Sequence, residues 1–334
     1  MKVYIINPWS ASGGPENIHQ LCSKINDLGI ECCLLYTFCH MGNYIPKNSD
    51  KDTFVPEYRH YNLKRTFCVD DSPENVIIIP EAYHPDVLHQ VEHMKVVYWW
   101  LSIDNPKYSW DKNNPVFREV IHCFHSDKAG KIIKNHIKED RVVPLHDYIN
   151  DLFIKSEKEL ISTLKSRKKT VLYNPQKQPE EITETLKSLV RKLDSTITFR
   201  PIENMNLKEV SEVGMDSRVY VDFGYHPGRE HLPREMAISG CSVITGNDGD
   251  ASDNDDLPLT NRKFTNPYDF YKISEMIVRD VNNHTSAFFE DELKNYRTII
   301  RGDKGRFEHE VKNLLEVLKL NSFVKKNNFS QIKR

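Results

Sequence analysis

The sequence lacks several features that would place it outside the class of globular, cytoplasmic proteins. Its longest apolar runs, such as VVYWWL at 96–101, are far short of the roughly 20 residues that a membrane-spanning helix needs. The amino terminus, MKVYIIN, has neither the long apolar segment nor the small-residue cleavage site of a signal peptide. The net charge is −2, so no overall basic field draws the chain to nucleic acid. We therefore expect a cytoplasmic protein without a nucleic-acid partner.

Metal-binding patterns are also missing. The seven cysteines form no CxxC pair and no Cys/His set with zinc spacing, so we expect reduced core or surface thiols. The acidic stretch DASDNDD at 250–256 lacks the glycine and the terminal glutamate of a calcium loop. It reads as a solvated acidic loop, and the sequence predicts no metal site.

The chain is long enough for two hydrophobic cores. It has 334 residues, of which 39% are apolar and 28% charged, a composition typical of globular proteins. Short runs of continuous apolar residues alternate with helical patterns, first up to about residue 145 and again from about 170. Buried runs of this kind, separated by helices, indicate parallel, doubly wound sheets. The charged segment 154–169 is predicted to be a helical linker between two Rossmann-like α/β domains.

The stretch 219–256 has the densest set of chemically useful residues. A predicted strand ends at Gly224, and the following loop and helix contain His226, Gly228, Arg229, Arg234 and Glu235. Glycine lets a backbone approach a ligand closely, and arginine can bind a phosphate through two parallel hydrogen bonds. The amino terminus of the helix offers free N–H groups and the positive end of the helix dipole. The combination predicts a site for a diphosphate.

The order strand, loop, PREMAISGCSVIT and loop resembles the nucleotide-binding signature of GT-B glycosyltransferases. In that family a helix reading like PLEAMASGxPVV is followed by a glycine-rich turn. The most similar members are bacterial transferases of capsule and O-antigen biosynthesis. Retaining members have a Glu-x7-Glu motif, whose second glutamate falls on Glu235 here. Pro227 stands at the position of the first glutamate, so the resemblance leaves retaining and inverting mechanisms both open.

The resemblance implies an α/β fold of two Rossmann-like domains facing a cleft. It implies an acceptor-side domain at 1–153 and a nucleotide-sugar-binding domain at 154–304, with a C-terminal helix at about 305–334 packed back on the first. It also implies a nucleotide-sugar donor and no metal or other cofactor. The donor-binding candidates are Gly13, Gly14, Asn174, Lys177, Pro201, Met205, Gly228, Arg229, Arg234 and Glu235.

The residues that act on the acceptor are less well defined. The catalytic candidates are Asp104, His125 and His226, and histidine titrates near neutral pH, as a general base must. Glu81 and His84, which follow another predicted strand, are alternatives in the first domain. Two tryptophans at 99–100 either stack on a sugar or belong to the core.

The leading hypothesis is a glycosyltransferase that moves a sugar to a saccharide or lipid-linked acceptor in surface polysaccharide biosynthesis. A nucleotide-sugar epimerase of the same fold and a non-catalytic sugar-nucleotide-binding protein are the alternatives. A dehydrogenase is disfavoured because GxGxxG is missing after either first strand. After Leu318 the sequence contains five basic residues and no acidic residue. This positive charge predicts weak peripheral contact with the inner face of an anionic membrane.

Overall fold

The computed structural model describes residues 1–37, 55–83, 87, 90–104 and 115–320. The chain divides into two compact units. Unit 1 comprises Met1–Asp147 and the chain from Gly305 onward, and unit 2 comprises Tyr148–Lys304.

Unit 1 is built on a parallel sheet of seven strands. The strands are β1 Val3–Pro8, β2 Cys32–Thr37, β3 Lys64–Arg65, β4 Val76–Pro80, β5 Lys95–Trp100, β6 Ile121–Phe124 and β7 Val142–Pro144. Their order in the sheet is β3-β2-β1-β4-β5-β6-β7, and every pair is parallel. The central strands are buried along their length, which explains their continuous apolar sequence. This is the strand order of a Rossmann-like sheet, with its switch point between β1 and β4.

Two helices of unit 1 follow strands of the sheet, α1 Gly13–Asp27 and α2 Asp127–Lys134. The first ends at Gly29, whose φ of 79° is the left-handed conformation that a glycine cap adopts. The second begins at Ser126, whose hydroxyl accepts a hydrogen bond from the Ala129 amide at 3.2 Å. Glycine and serine are residue types that favour the carboxyl and amino ends of helices, respectively.

Unit 2 has a parallel sheet of five strands. They are β8 Thr170–Tyr173, β9 Thr198–Pro201, β10 Val219–Asp222, β11 Ser242–Gly246 and β12 Lys263–Phe264. Their order is β12-β11-β10-β8-β9, so the order reverses between β8 and β10. The helices are α3 Glu157–Thr163, α4 Glu180–Leu193, α5 Leu207–Asp216, α6 His231–Ile238, α7 Phe270–Asn282 and α8 His284–Phe288. The unit is therefore a second doubly wound α/β domain.

The last helix, α9 Asp291–Leu320, contributes to both units. Its second half is bound within unit 1, where Glu308 lies 2.6 Å from the Lys24 ammonium and Glu310 accepts hydrogen bonds from His146. Its first half supplies Leu293, Tyr296 and Ile300 to an apolar cluster of unit 2.

The fold class predicted from the sequence is confirmed as two Rossmann-like α/β domains with parallel sheets. The predicted helix at 154–169 is too long, since α3 covers only Glu157–Thr163. The two edge strands β3 and β12 escape prediction because each has two residues and neither is a buried apolar run. No helix within the described ranges is both long and apolar enough to cross a membrane.

Candidate functional site

The switch point of the unit 2 sheet brings two loops together. The first, at 174–179, follows β8, and the second, at 223–230, follows β10, which is the neighbour of β8 in the sheet. Open α/β sheets bind ligands outside the carboxyl ends of their strands at such a point. Most of the donor-binding candidates of unit 2 lie in these two loops or in the helix that follows the second.

Hydrogen bonds shape the loop after β8. The Asn174 side chain accepts from the Gln176 amide at 3.0 Å, which makes an Asx turn. Gln178 is buried and connects three segments, because it accepts from the Phe223 amide at 3.2 Å and donates to Thr183 at 2.8 Å. Asn174 is thus a structural turn residue in this structure as well as a binding candidate.

Lys177 joins the two loops. Its ammonium forms an ion pair with Glu230, and a third of the Lys177 side chain (33%) remains exposed. The backbones approach so closely here that a Cβ on Gly224 would lie 2.9 Å from the Lys177 carbonyl oxygen. Only glycine at 224 lets the loops pack in this way.

Asp222 and His226 form a buried pair where β10 ends. The Asp222 carboxylate accepts hydrogen bonds from the Tyr220 hydroxyl at 2.8 Å and from the Gly224 amide at 3.0 Å. His226 Nε2 lies 3.6 Å from Asp222 Oδ1, and both side chains are at most 4% exposed. Burial alone would raise the pKa of Asp222, but His226 and the hydrogen bonds outweigh it and hold the pKa below its ordinary value.

The loop after β11 closes on His226. The Asp250 amide donates to the His226 carbonyl at 2.8 Å, and His226 bridges Gly249 in parallel register. Gly249 has a φ of 61°, and a Cβ there would lie 2.0 Å from the His226 carbonyl oxygen. The close approach of the two loops therefore requires glycine at 249.

A pocket of unit 2 opens among these segments, with a volume of about 240 Å³ when the space open to solvent is included. His226, Gly228, Arg229 and Arg234 line it, together with acidic residues of the 250–256 loop. Three of the donor-binding candidates and one catalytic candidate thus share one cavity.

The two arginines of the pocket are bound to a carboxylate that the sequence analysis missed. Arg229 Nη2 donates to both oxygens of Asp303 at 3.2 Å, and Arg234 Nη1 lies 3.5 Å from Asp303. Arg229 Nε is also 3.9 Å from Asp256. Asp303 lies on α9, some 70 residues further along the chain, and no local pattern connects it to the loop. The role of Arg229 and Arg234 at a diphosphate stays a prediction.

The remaining donor-binding candidates of unit 2 are not among the residues that line this pocket. Glu235 is buried on α6, with one carboxylate oxygen 4.0 Å from His231 Nδ1. Pro201 ends β9, the edge strand beside β8, and Met205 packs against an apolar cluster.

The acidic loop differs from its prediction as a solvated segment. Asp250 and Asp256 are buried, at 1% and 5% exposure, because one belongs to the short 3-10 helix against His226 and the other faces Arg229. Among the described residues, no cluster of three or more His, Cys, Asp or Glu side chains could hold a metal ion.

In unit 1, Gly13 and Gly14 form the first turn of α1, directly after β1. Tyr58 holds the segment before them, because its hydroxyl donates to the Ser12 carbonyl at 2.8 Å and accepts from the Ser12 amide at 2.9 Å. A Cβ on Gly14 would make only ordinary van der Waals contact with Leu101, at 3.4 Å. The hydrogen bonds of Tyr58 thus fix the segment between β1, a strand at the switch point of this sheet, and α1.

His125 stands directly after β6 and is buried with Asp147. Its Nε2 lies 3.0 Å from Asp147 Oδ1 and 3.2 Å from the Asn17 amide nitrogen. A buried histidine next to a carboxylate is an arrangement that can move a proton. The sequence had singled out His125 but neither of its two partners.

The other candidates of unit 1 have structural contacts. Asp104 lies 2.5 Å from the Lys128 ammonium, and Glu81 accepts from the Leu101 amide at 2.9 Å. Trp99 and Trp100 are buried core residues. Their indole N–H groups donate to the Leu145 carbonyl and to His122, respectively. Of the two alternatives that the sequence leaves open, the structure favours the core. His84 lies outside the described residues.

The six cysteines within the described ranges are free thiols, and five of them are buried. This agrees with the reduced thiols that the sequence predicts. Burial raises the pKa of Cys241 to about 11, so this thiol is protonated and unreactive at neutral pH.

No protein-family model matches the chain, and no curated protein matches it in sequence. Solved structures match over nearly its whole length. A glycosyltransferase from Rickettsia africae is 13% identical, with a TM-score of 0.61, over 98% of this chain and 99% of its own. Anabaena HepE in complex with UDP is 10% identical, with a TM-score of 0.63, over 95% and 100%. Sucrose-phosphate synthase from Thermosynechococcus elongatus is 11% identical, with a TM-score of 0.62, over 96% and 99%.

The chain has the GT-B fold. Identities this low show the fold alone, because one fold hosts many functions. The function has to be argued from the site.

Proposed function

We propose that the protein is a glycosyltransferase that takes a sugar from a nucleotide-sugar donor, and that unit 2 binds this donor. The observation that carries the proposal is the polar pocket lined by the loops that follow β10 and β11 and by α6. The loop after β10 borders the switch point of the sheet, where α/β folds bind their ligands, and this loop and α6 belong to the segment that resembles a nucleotide-binding signature.

Uridine diphosphate is the nucleotide that we propose. The structure of Anabaena HepE contains UDP, and another contains UDP-glucose, which supports this choice for a chain of the same fold. We propose that the acceptor is a saccharide or a lipid-linked saccharide of surface polysaccharide biosynthesis, as the resemblance to capsule and O-antigen transferases suggests.

We propose that transfer proceeds without a metal ion. The leaving diphosphate would meet the amino terminus of α6 and Lys177, a cation at the edge of the two loops that is one-third exposed. Backbone N–H groups and a fixed ammonium stabilise developing negative charge without reorganisation. His125, supported by Asp147, is our candidate for the proton transfer from the acceptor hydroxyl.

Donor binding tests the proposal directly. We expect UDP and UDP-sugars to raise the melting temperature in a panel that also contains ADP, GDP and CMP compounds, because a ligand of the folded state stabilises it by mass action. Turnover is then measured as UDP release with candidate acceptors, with and without EDTA. The proposal fails if no nucleotide sugar in the panel shifts the melting temperature.

Glu235 provides the sharpest variant. Its carboxylate is our candidate for the vicinal hydroxyls of the ribose, and two such charge-assisted bonds lead us to expect about tenfold weaker UDP binding in Glu235→Gln. The matched control is Glu212→Gln, an exposed glutamate of α5 paired with Lys208. A Glu235→Gln protein that binds UDP normally but melts several degrees lower would show that Glu235 only stabilises the fold, for example through His231.

A further inference from the structure

His284 is a buried imidazole in unit 2. It is the first residue of α8, which packs against α7 and β11, and only 3% of it is exposed. Neither ring nitrogen has a hydrogen-bond partner among the described residues. A neutral imidazole has one N–H donor and one acceptor, whereas an imidazolium has two donors and a full charge. Burial without a partner therefore disfavours the charged form of His284 far more than the neutral one.

Two arginines bind the chain on either side of His284. Arg218, directly before β10, donates to the Val281 carbonyl near the end of α7 at 2.7 Å. Arg297 of α9 donates to the Phe288 carbonyl at the end of α8 at 2.6 Å, and its guanidinium lies 3.8 Å from the centre of the Phe288 ring. The last carbonyls of a helix have no partners within the helix. The two guanidinium groups bind such carbonyls and bring positive charge to the chain before and after the histidine.

Arg167 brings a third positive charge to this end of the sheet. It is 2% exposed and lies shortly before β8. Its guanidinium donates to three carbonyls at the carboxyl ends of α5 and α6, those of Gly214, Ser217 and Ser239. A Cβ on Gly240 would lie 2.6 Å from Arg167 Nη2, so the helix ends enclose the guanidinium tightly. Because Arg167 and Arg218 both precede strands, these cations lie at the amino ends of the unit 2 strands.

Asp280 of α7 is an acidic residue that acts on His284, but both of its oxygens are already bound. One oxygen accepts from Arg262 and from the Ser242 hydroxyl, and the other accepts from Arg279 Nε at 2.8 Å. Arg262 is 1% exposed, and Asp280 is its buried counter-ion. Asp280 therefore neutralises little of the positive charge around the histidine.

The surroundings of His284 keep its ring neutral. Burial is the largest of the effects that lower its pKa, and the charges of Arg167, Arg218 and Arg297 lower it further. Asp280 offsets only part of this shift, and the pKa is lowered to about 3. An imidazole exposed to water titrates near pH 6.5. Folded unit 2 therefore holds His284 neutral in mild acid, in which the same side chain takes up a proton once it is exposed.

We propose that His284 is an acid-sensitive switch: its neutral ring permits α8 and the first turns of α9 to pack within unit 2, and uptake of a proton releases them. The first half of α9 also carries Tyr296, which lines the candidate pocket, and Asp303, which binds Arg229 and Arg234. We expect release of these helices to loosen that pocket in mild acid. The inference does not rest on the proposed function, because it involves no ligand.

Amide hydrogen exchange of the full chain measures the opening of α8 and the first turns of α9. A group that binds a proton only in the open form raises the opening equilibrium constant about tenfold for each pH unit below its open-state pKa. After correction for intrinsic exchange rates, we therefore expect an increase of about thirtyfold between pH 7.5 and pH 5. In His284→Gln, whose side chain does not titrate, this increase should largely disappear.

His93→Gln is the matched control. It replaces an imidazole that is 65% exposed and lies in unit 1, so it should keep the wild-type pH dependence of opening in α8. Equal pH dependence in His284→Gln and His93→Gln would overturn the proposal. A wild-type opening constant that is the same at both pH values would overturn it as well.

The wild type also tests the switch without any variant. Deuterium exchange at the imidazole C2 position, measured by mass spectrometry of the peptide that contains His284, follows the protonation of that ring. We expect no titration midpoint between pH 8 and pH 5. A midpoint near pH 6.5, the ordinary value, would show that the folded protein accepts the proton freely, and it would overturn the proposal even if His284→Gln fails to fold. Failure of nucleotide sugars to bind would contradict the proposed function alone.

Discussion

At the scale of single residues, unit 2 concentrates buried charge around Asp303. This carboxylate is 1% exposed and faces the guanidinium groups of Arg229 and Arg234, which are 5% and 1% exposed. Arg234 also donates to the Arg229 carbonyl at 2.9 Å. One aspartate of α9 thus fixes both the loop at 223–230 and the first turn of α6, the two segments that shape the candidate pocket.

Loss of that carboxylate should be costly. We expect Asp303→Asn to reduce the free energy of unfolding by about 3 kcal/mol, because removing one partner of a buried ion pair leaves the other charge uncompensated. Asp151→Asn is the control, since Asp151 is 64% exposed in its ion pair with Lys304, and exposed pairs contribute less than about 1 kcal/mol. Urea unfolding measures both. Equal losses in the two variants would mean that water screens the Asp303 cluster.

The sequence identifies a functional residue best when its partners lie close to it in the chain. His226, Arg229 and Glu235 stand within ten residues of a recognisable strand–loop–helix signature, so the sequence points to them. Asp303 and Asp147 are partners brought in by the fold from distant segments, and no local pattern identifies them. The sequence does not identify Asp222 either, because a lone aspartate at the end of a strand does not reveal its contacts with Tyr220 and His226.

At the scale of elements, the sequence predicts the continuous apolar strands but not the short polar strands at the edges of the two sheets. β4 and β5 are buried over most of their length and read as strands from hydrophobicity alone. β3 consists of Lys64 and Arg65, and only its pairing with Cys33 and Leu34 makes it a strand. The segment 154–169 is rich in residues that favour helices, yet α3 covers less than half of it. Charged composition alone does not determine where a helix begins and ends.

His146 binds the second half of α9 within unit 1, and its pKa is raised above the ordinary histidine value. His146 Nδ1 lies 2.7 Å from Glu310, whose other oxygen accepts from the His146 amide at 2.8 Å. Burial lowers the pKa of His146, but the Asp127 and Glu310 carboxylates more than offset it and raise the pKa, against a weaker opposing effect of Arg306. Burial raises the pKa of Glu310, and His146 in turn lowers it overall. The pair is therefore charged between the two pKa values.

The stability that the His146–Glu310 contact contributes depends on pH, because the pKa of His146 differs between the folded and unfolded states. Because the folded pKa of His146 is raised, its contribution is complete below the ordinary histidine pKa and is lost as the pH rises through the raised value. We expect Glu310→Gln to cost about 1.5–3 kcal/mol at pH 6 and clearly less at pH 9, in urea unfolding. Glu308→Gln is the control, because it removes an ion pair of the same half of α9, with Lys24 at 2.6 Å, in which no histidine takes part. A cost of Glu310→Gln that is the same at both pH values would contradict the charge assignment.

At the scale of the whole molecule, charge is nearly balanced, so attraction to any anionic surface has to be local. The chain has 46 Lys and Arg residues against 48 Asp and Glu residues. Its C-terminal segment is the exception, with five basic side chains and no acid from Lys319 to Arg334. Of these residues, 321–334 lie outside the described part of the chain.

We expect this segment to bind weakly to anionic membranes, where a lipid-linked acceptor would lie. Each basic residue near such a surface contributes about 1 kcal/mol at low ionic strength, and salt screens the attraction within a Debye length. Co-sedimentation should therefore recover more protein with vesicles containing anionic lipid than with neutral ones, and less as salt is raised. Replacing Lys325, Lys326, Lys333 and Arg334 by glutamine removes four of the five charges at constant length and should remove most of the difference. Equal recovery of the wild type on neutral and anionic vesicles would refute the expectation, and a lipid-linked acceptor would then have to reach the protein without help from this segment.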